Sequence, residues 1–281
     1  MRWRVSIIHG RAESGRARPP MVELVDATGK TNEAYLKSPE FHEAKSPYCL
    51  EREWIATRLA QDLGLPCARV VPVEVTPELV QMASAIYDHT PIKTESGPTL
   101  AQRLVSGPKL LIGSVSLGPG WSEWSQAMSV RDVQLEMATG IYFFDTMIQN
   151  WDRVIPNPNL LIKNDTYGMI DQEESFVEAA GTDAERAITP KPWKEGGVVN
   201  DVGEINEHPL WRGIKLNRKA SFDKSVQRWK SLPTTKVLGY ANEPVFDEWS
   251  RHVANKIIEY LLEAVDNIDA VHMQVEANRC N

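Results

Sequence analysis

Apolar residues recur along this chain in two rhythms. In the first part they come in short runs separated by glycine, proline and charged turns, which is the signature of strands. Residues 4–8, 21–26 and 33–38 read as three strands, the third centred on Tyr35-Leu36-Lys37, and Ala27-Thr28-Gly29-Lys30 forms the turn that ends the second. Residues 68–75 and 110–114 are two further apolar runs of strand length. Between these groups, Leu50, Trp54, Ile55, Leu59 and Leu63 repeat at helical spacing, and Gly64 stands where a left-handed C-cap would.

The second rhythm follows the glycine-rich stretch Leu117-Gly118-Pro119-Gly120. Residues 131–149 read as a buried helix carrying Val133, Leu135, Met137, Ile141, Phe144 and Met147. A loop at 150–159, a strand at 160–163, a turn at Asn164-Asp165 and a strand at 167–170 come next, so that a loop and a hairpin hang on the end of that helix. Residues 182–233 are polar and show no clear period. Residues 246–271 read as one long helix with Trp249, Val253, Ile257, Leu261, Val265 and Ile268 on one face. The fold class these patterns predict is α+β, strand-rich over about residues 1–112 and mainly helical over 113–281. No internal repeat or low-complexity tract interrupts the pattern.

Composition narrows the function. With 281 residues, 42% hydrophobic and 25% charged, the chain can bury one large core or two modest ones. Its formal net charge of -7 disfavours the phosphate backbone of nucleic acids, since only short basic groups such as Arg11, Arg16 and Arg18 oppose it. Nucleic acid is therefore not the expected partner. No apolar run reaches the length of a membrane span, and residues 5–8 are too short for a signal-peptide core. Cys49, Cys67 and Cys280 are odd in number and lack metal-type spacing, which fits a reducing compartment and a cytoplasmic address. The six histidines are scattered. Gly10-x4-Gly15 begins like a phosphate-binding P-loop, but Arg16-Ala17 stands where Lys-Ser/Thr is required. Gly29-Lys30-Thr31 has the ending, but Leu24 replaces the first glycine.

The chemistry concentrates in Asn150-Trp151-Asp152-Arg153, Asn157-Pro158-Asn159-Leu160-Leu161 and Met169-Ile170-Asp171. Phosphoryl transfer needs a carboxylate to orient the attacking hydroxyl and a few oxygen ligands to hold Mg²⁺ against the phosphates. Protein kinases place the first five residues ahead of a metal-binding Asn and bring a metal-binding Asp one hairpin later. Asp152, Asn157 and Asp171 have that arrangement. Loops favour Asn, Asp and Pro in any case. The helix in front, the apolar flanks and the Asp closing a hairpin set this loop apart.

These residues, together with Phe144-Asp145 ahead of them, resemble the catalytic segment of HipA-like kinases. They are also similar to type II phosphatidylinositol 4-kinases, which share an Asn-x-Asp-Arg loop and a later Ile-Asp. The resemblance implies a two-lobed, protein-kinase-like fold, with a nucleotide-binding lobe at 1–112, a catalytic lobe at 113–281, and ATP with Mg²⁺ in the cleft between them. By the same resemblance Asp152 is the catalytic base, Arg153 supports the loop, and Asn157 and Asp171 are metal ligands. Asn159 is a second candidate for the metal or for bracing the loop. Gln172 stands where related motifs carry small residues, so no activation-segment behaviour is implied.

The helix at 50–63, running into Leu63-Gly64-Leu65-Pro66, is similar to a HipA-like helix that ends in such a turn. Lys37 would then hold the ATP phosphates and pair with Glu53, or alternatively Glu51. The stretch 10–20, with Ser14-Gly15, would cover the phosphates. The reaction implied is transfer to a Ser or Thr hydroxyl of a protein substrate, with a regulatory partner protein as a further expectation. Two alternatives stay open: a lipid or small-molecule kinase of phosphatidylinositol-kinase type, and a nucleotide-binding pseudokinase acting as an interaction module.

Overall fold

The computed structural model describes residues 2–11, 19–41, 48–87, 98–198 and 207–280. Three strands, β1 (Arg4–Arg11), β2 (Pro20–Val25) and β3 (Thr31–Lys37), precede helix α1 (Cys49–Asp62) and strand β4 (Val70–Glu74). Helices α2 (Pro77–Tyr87) and α3 (Leu100–Ser106) lead to β5 (Leu110–Val115) and the short β6 (Ser122–Glu123). Helix α4 (Leu135–Met147) feeds the hairpin β7 (Leu160–Lys163) and β8 (Thr166–Met169). The remainder is helical: α5 (Val177–Ala180), α6 (Asp183–Ile188), α7 (Trp211–Leu216), α8 (Asp223–Ser231), α9 (Thr234–Tyr240), α10 (Arg251–Asp266) and α11 (Ile268–Cys280).

These elements form two compact units. The first contains Met1–Leu50, Ala68–Gly118 and Pro244–Ser250; the second contains Glu51–Cys67, Pro119–Glu243 and Arg251–Asn281. In the first unit an antiparallel sheet runs in the order β1-β2-β3-β5-β4. Alternation does the work in β2, where Val22 and Leu24 face inward and Met21 and Glu23 are half-buried. Their neighbours in the core are Leu36, Val73, Leu111, and Leu79, Ala83 and Leu104 from the two helices. Gly113 is required by close approach, because a Cβ there would stand 2.7 Å from Leu24 and 3.0 Å from Val73. A parallel bridge between Trp3 and Val73 ties the chain ahead of β1 to β4, so the sheet curls until its ends meet.

In the second unit α1 ends as the sequence predicts. Gly64 takes φ +70°, and the Leu65 amide reaches back to the Ala60 carbonyl to close a Schellman turn. Helix α4 is buried along almost its whole length, with Ile141, Phe143, Phe144 and Met147 fully enclosed. Tyr142 stacks on Trp211 with ring centroids 4.6 Å apart, and Phe144 meets Trp229 at 6.3 Å. Trp211 and Trp229 thus serve packing, and the described residues of the polar region 182–233 include the short helices α6, α7 and α8.

Two expected elements differ. The helix at 131–149 begins with a 3₁₀ turn, Asp132–Gln134, whose tighter winding leaves Val133 exposed at 69%. The single helix at 246–271 is instead a 3₁₀ turn (Pro244–Asp247), then α10, then α11. Asn267 breaks it: its side-chain amide bonds the Glu263 carbonyl at 2.8 Å, and its own carbonyl starts the next helix at Ala270. Trp249 lies ahead of α10 in the first unit and donates its indole N–H to the Leu110 carbonyl at 2.7 Å. Its place in the helical period is a coincidence of spacing. Among the described residues, no helix is long and apolar enough to cross a membrane.

Candidate active site

Helix α4 ends abruptly, and the way it ends builds the site. Gln149 takes a left-handed backbone (φ +53°), a conformation costly for a residue with a Cβ. Its side chain is tied down on both sides: the Glu178 amide donates to Oε1 at 2.9 Å, and Nε2 donates to the Pro190 carbonyl at 3.3 Å. The chain then turns through Asn150, whose amide N–H bonds the Asp145 carbonyl at 2.9 Å, and enters the loop that carries Asp152.

On the outer side of that loop three of the expected residues come together. Asp152 Oδ2 accepts from Asn157 Nδ2 at 2.8 Å and from Asn159 Nδ2 at 2.9 Å. All three are half-buried. Backbone bonds between Val154 and Asn157 pinch the loop so that Asn157 returns to Asp152. Asn159 achieves its reach through a left-handed backbone (φ +43°), which asparagine tolerates better than most residues.

On the inner side lies a fully buried polar cluster. Arg153, 1% exposed, donates Nε to Asp145 Oδ2 at 2.7 Å and Nη2 to Gln172 Oε1 at 2.9 Å. Its Nη1 bonds the Asn159 carbonyl and, at 3.4 Å each, those of Pro158 and Ile170. Asn150 Nδ2 completes the ring, bonding Asp145 Oδ1 at 3.0 Å and Gln172 Oε1 at 2.9 Å. One guanidinium therefore joins the helix end, the loop and the exit of the hairpin. Asp171 follows Ile170 directly, again left-handed at φ +58° and half-buried. The next residue, Gln172, gives its backbone N–H to Glu53 Oε2 on α1.

Asp145 is enclosed, which would raise its pKa, but Arg153 and His208 hold the carboxyl below the usual range. His208 Nε2 lies 3.0 Å from Asp145 Oδ2, and His208 Nδ1 accepts the Leu210 amide at 3.2 Å. That second bond fixes the tautomer: Nε2 carries the proton and donates to Asp145. Burial lowers the His208 pKa against the pull of Asp145, so the ring is a neutral donor. Cys67, behind the site, is inert, its thiol pushed up to about 12 by burial and by the Glu53 charge.

Among the other expected residues, Lys37 ends β3 in the first unit and is buried, and Glu51 is buried in α1. Ser14 and Gly15 lie outside the described residues. The sequence reading gave no role to Asp145, Asn150 or His208, and noted Gln172 only as a departure from related motifs. Asp145 did carry a signal, as a lone carboxylate in the apolar run Ile141 to Met147. His208 carried none, being far along the chain in a region without period.

The HipA-like kinase family model matches residues 8–189, well over half of the chain. No curated protein matches it significantly. Among solved structures, the Helicobacter pylori proinflammatory kinase CtkA superposes with a TM-score of 0.51 at 11% identity, over 95% of this chain and 94% of that one. A Golgi casein kinase gives 0.47 at 12% identity, covering 94% and 72%. A second structure of the Golgi casein kinase, with Mn/ADP bound, gives 0.45 at 14% identity, covering 95% and 73%. At such identities the likeness to CtkA is one of fold.

Proposed function

We propose a reaction for this chain, which belongs to the HipA-like kinase family and is a kinase of protein-kinase-like fold: transfer of the γ-phosphoryl group of ATP, with Mg²⁺, to a Ser or Thr hydroxyl of a protein in the cytoplasm. The observation that carries the reading is the carboxylate of Asp152 held by two amides, Asn157 and Asn159, on a loop anchored from within by Arg153.

Asp152 orients the attacking hydroxyl and accepts its proton as the oxygen–phosphorus bond forms. The bond to the β,γ-bridging oxygen breaks, and ADP leaves with its electron pair. Two donors on one carboxylate oxygen fix the plane of the group, which is what a base that must meet a hydroxyl in one geometry needs. Arg153, fully enclosed, is a positioning residue and does not reach substrate.

The residues also fit a small hard cation. Asn157 and Asn159 turn their nitrogens to Asp152, which leaves Oδ1 of each as the acceptor, and Asp171 adds a carboxylate one residue beyond the tied carbonyl of Ile170. Asp171 and Asn157 would hold Mg²⁺, with Asn159 bracing the loop; the ion supplies neutralisation of charge on the β- and γ-phosphates. Lys37 would bind the phosphates with Glu53 as its partner, and Ser14-Gly15 would cover them. A regulatory partner protein belongs to the same reading.

The test is γ-labelled ATP with purified protein, Mg²⁺ and, in separate arms, a protein extract and phosphoinositide vesicles. Label in protein hydroxyls is expected, and Asp152→Asn should lower it by about 10²- to 10⁴-fold with nucleotide affinity and melting temperature unchanged. Label in lipid only would overturn the acceptor, and full retention of transfer by Asp152→Asn would overturn the base.

A further inference from the structure

We propose that Arg52 is a positioning residue for this site, holding the segment that follows Asp171; the inference rests on the kinase reading above. Helix α1 carries three consecutive charged residues, Glu51, Arg52 and Glu53, that are only 5%, 1% and 2% exposed. At about 100° per residue they span more than half the circumference of the helix. Charged side chains are seldom so fully buried without partners. Glu53 takes the Gln172 amide. Arg52 reaches further along the same segment: Nη1 lies 3.3 Å from Glu174 Oε2 and 3.5 Å from the Glu173 carbonyl, and Nη2 lies 2.5 Å from the Ala180 carbonyl. Two adjacent side chains of α1 thus grip residues 172–180 at both ends.

The segment they grip does not hold its shape by local preference. Phe176, fully buried, sits at φ +56°, a left-handed conformation that is unfavourable for a residue with a Cβ. It persists because its surroundings overdetermine it. The Phe176 amide bonds the Ile148 carbonyl at 2.5 Å, Ser175 Oγ bonds the Gln172 carbonyl at 2.7 Å, and the Glu178 amide bonds Gln149. The end of α4 secures one side of the segment and Arg52 the other. In protein kinases at large, the stretch after the metal-binding Asp is commonly ordered by a phosphate drawn to arginines. Here an arginine of the chain's own helix bonds the chain's own carboxylate and carbonyls, so the ordering charge is encoded in the sequence.

Amide hydrogen exchange on the protein without nucleotide or metal tests the role directly. In Arg52→Gln, amides of residues 172–180 should exchange about tenfold or more faster, while those of α10 keep their protection. In transfer assays the same variant should need about tenfold more Mg²⁺ for its half-maximal rate and approach the parent kcat at saturation. Arg52→Lys, which keeps the charge and loses the fork, should fall between the two. Unchanged exchange in residues 172–180, or acceleration spread equally over α10, would overturn the proposal. Should Arg52→Gln fail to fold, Glu174→Gln decides: faster exchange confined to residues 172–180 supports the clamp, and no change overturns it. A parent that transfers no phosphate would defeat the kinase reading, while the exchange result would still decide the role of Arg52.

Discussion

Asp145 and Asp152 stand at opposite sides of one short loop, and their surroundings could hardly differ more. Asp145 closes a buried helix, its side chain 2% exposed, and is met by a buried guanidinium, an amide and a neutral imidazole. Asp152 is half-buried and accepts from two side-chain amides. A charge taken fully out of water must be paired with a cation and bonded at every oxygen, and it then serves mainly to fix geometry. A carboxylate nearer the surface, oriented by neutral amides, is what the proposed base requires. The inner aspartate fixes the loop that carries the outer one.

The contrast can be broken most forcefully from the inside. Asp145→Ala leaves Arg153 buried without its carboxylate, and a loss of about 3–5 kcal/mol of stability is expected in denaturant melts. If stability is kept while only transfer falls, Asp145 belongs with the working face. A smaller effect is expected on the outer side. Asn157→Ala removes one donor to Asp152 and a proposed metal ligand, so transfer should drop by about tenfold or more, with the melt changed by about 1 kcal/mol at most. An equal loss of stability and activity would erase the distinction between the two faces.

The smallest effect sharpens the comparison through pH. His208 is held neutral, its folded pKa lowered by burial against the attraction of Asp145. The unfolded chain binds this proton more readily, with an ordinary pKa of about 6.5. Its contribution to stability is therefore present above that value and is lost as pH falls from there towards the folded pKa. His208→Gln should cost about 1 kcal/mol at neutral pH. It should also flatten the decline in stability that the parent shows below about pH 6.5. An unaltered slope would remove His208 as its source.

Most of the fold could be read from the chain because its signals are local. The strands are short apolar runs bounded by turn residues, α1 closes at Gly64, and the hairpin β7–β8 turns at Asn164-Asp165. The same holds for the outer face of the site, since Asp152, Asn157 and Asn159 lie within one loop. Where the reading failed, short-range pattern misled or fell silent. Trp249 fits a helical period but binds elsewhere, and Val133 fits α4 but precedes it in a 3₁₀ turn. Helices α5 to α9 have four to nine residues each, too short to establish a period.

The sequence by itself determined the α+β class, the strand and helix rhythm, and the loop in which Asp152, Asn157 and Asn159 come together. Those properties depend on spacing along the backbone, and spacing is written in order. Only the tertiary structure decided which polar residues share an interior: Arg153 and Asn150 with Asp145, His208 from beyond α6, and Arg52 with residues 173–180. Burial turns each of these from an ordinary surface charge into a member of a set that must be satisfied together. No residue carries that requirement alone, and no window of sequence contains all of its partners.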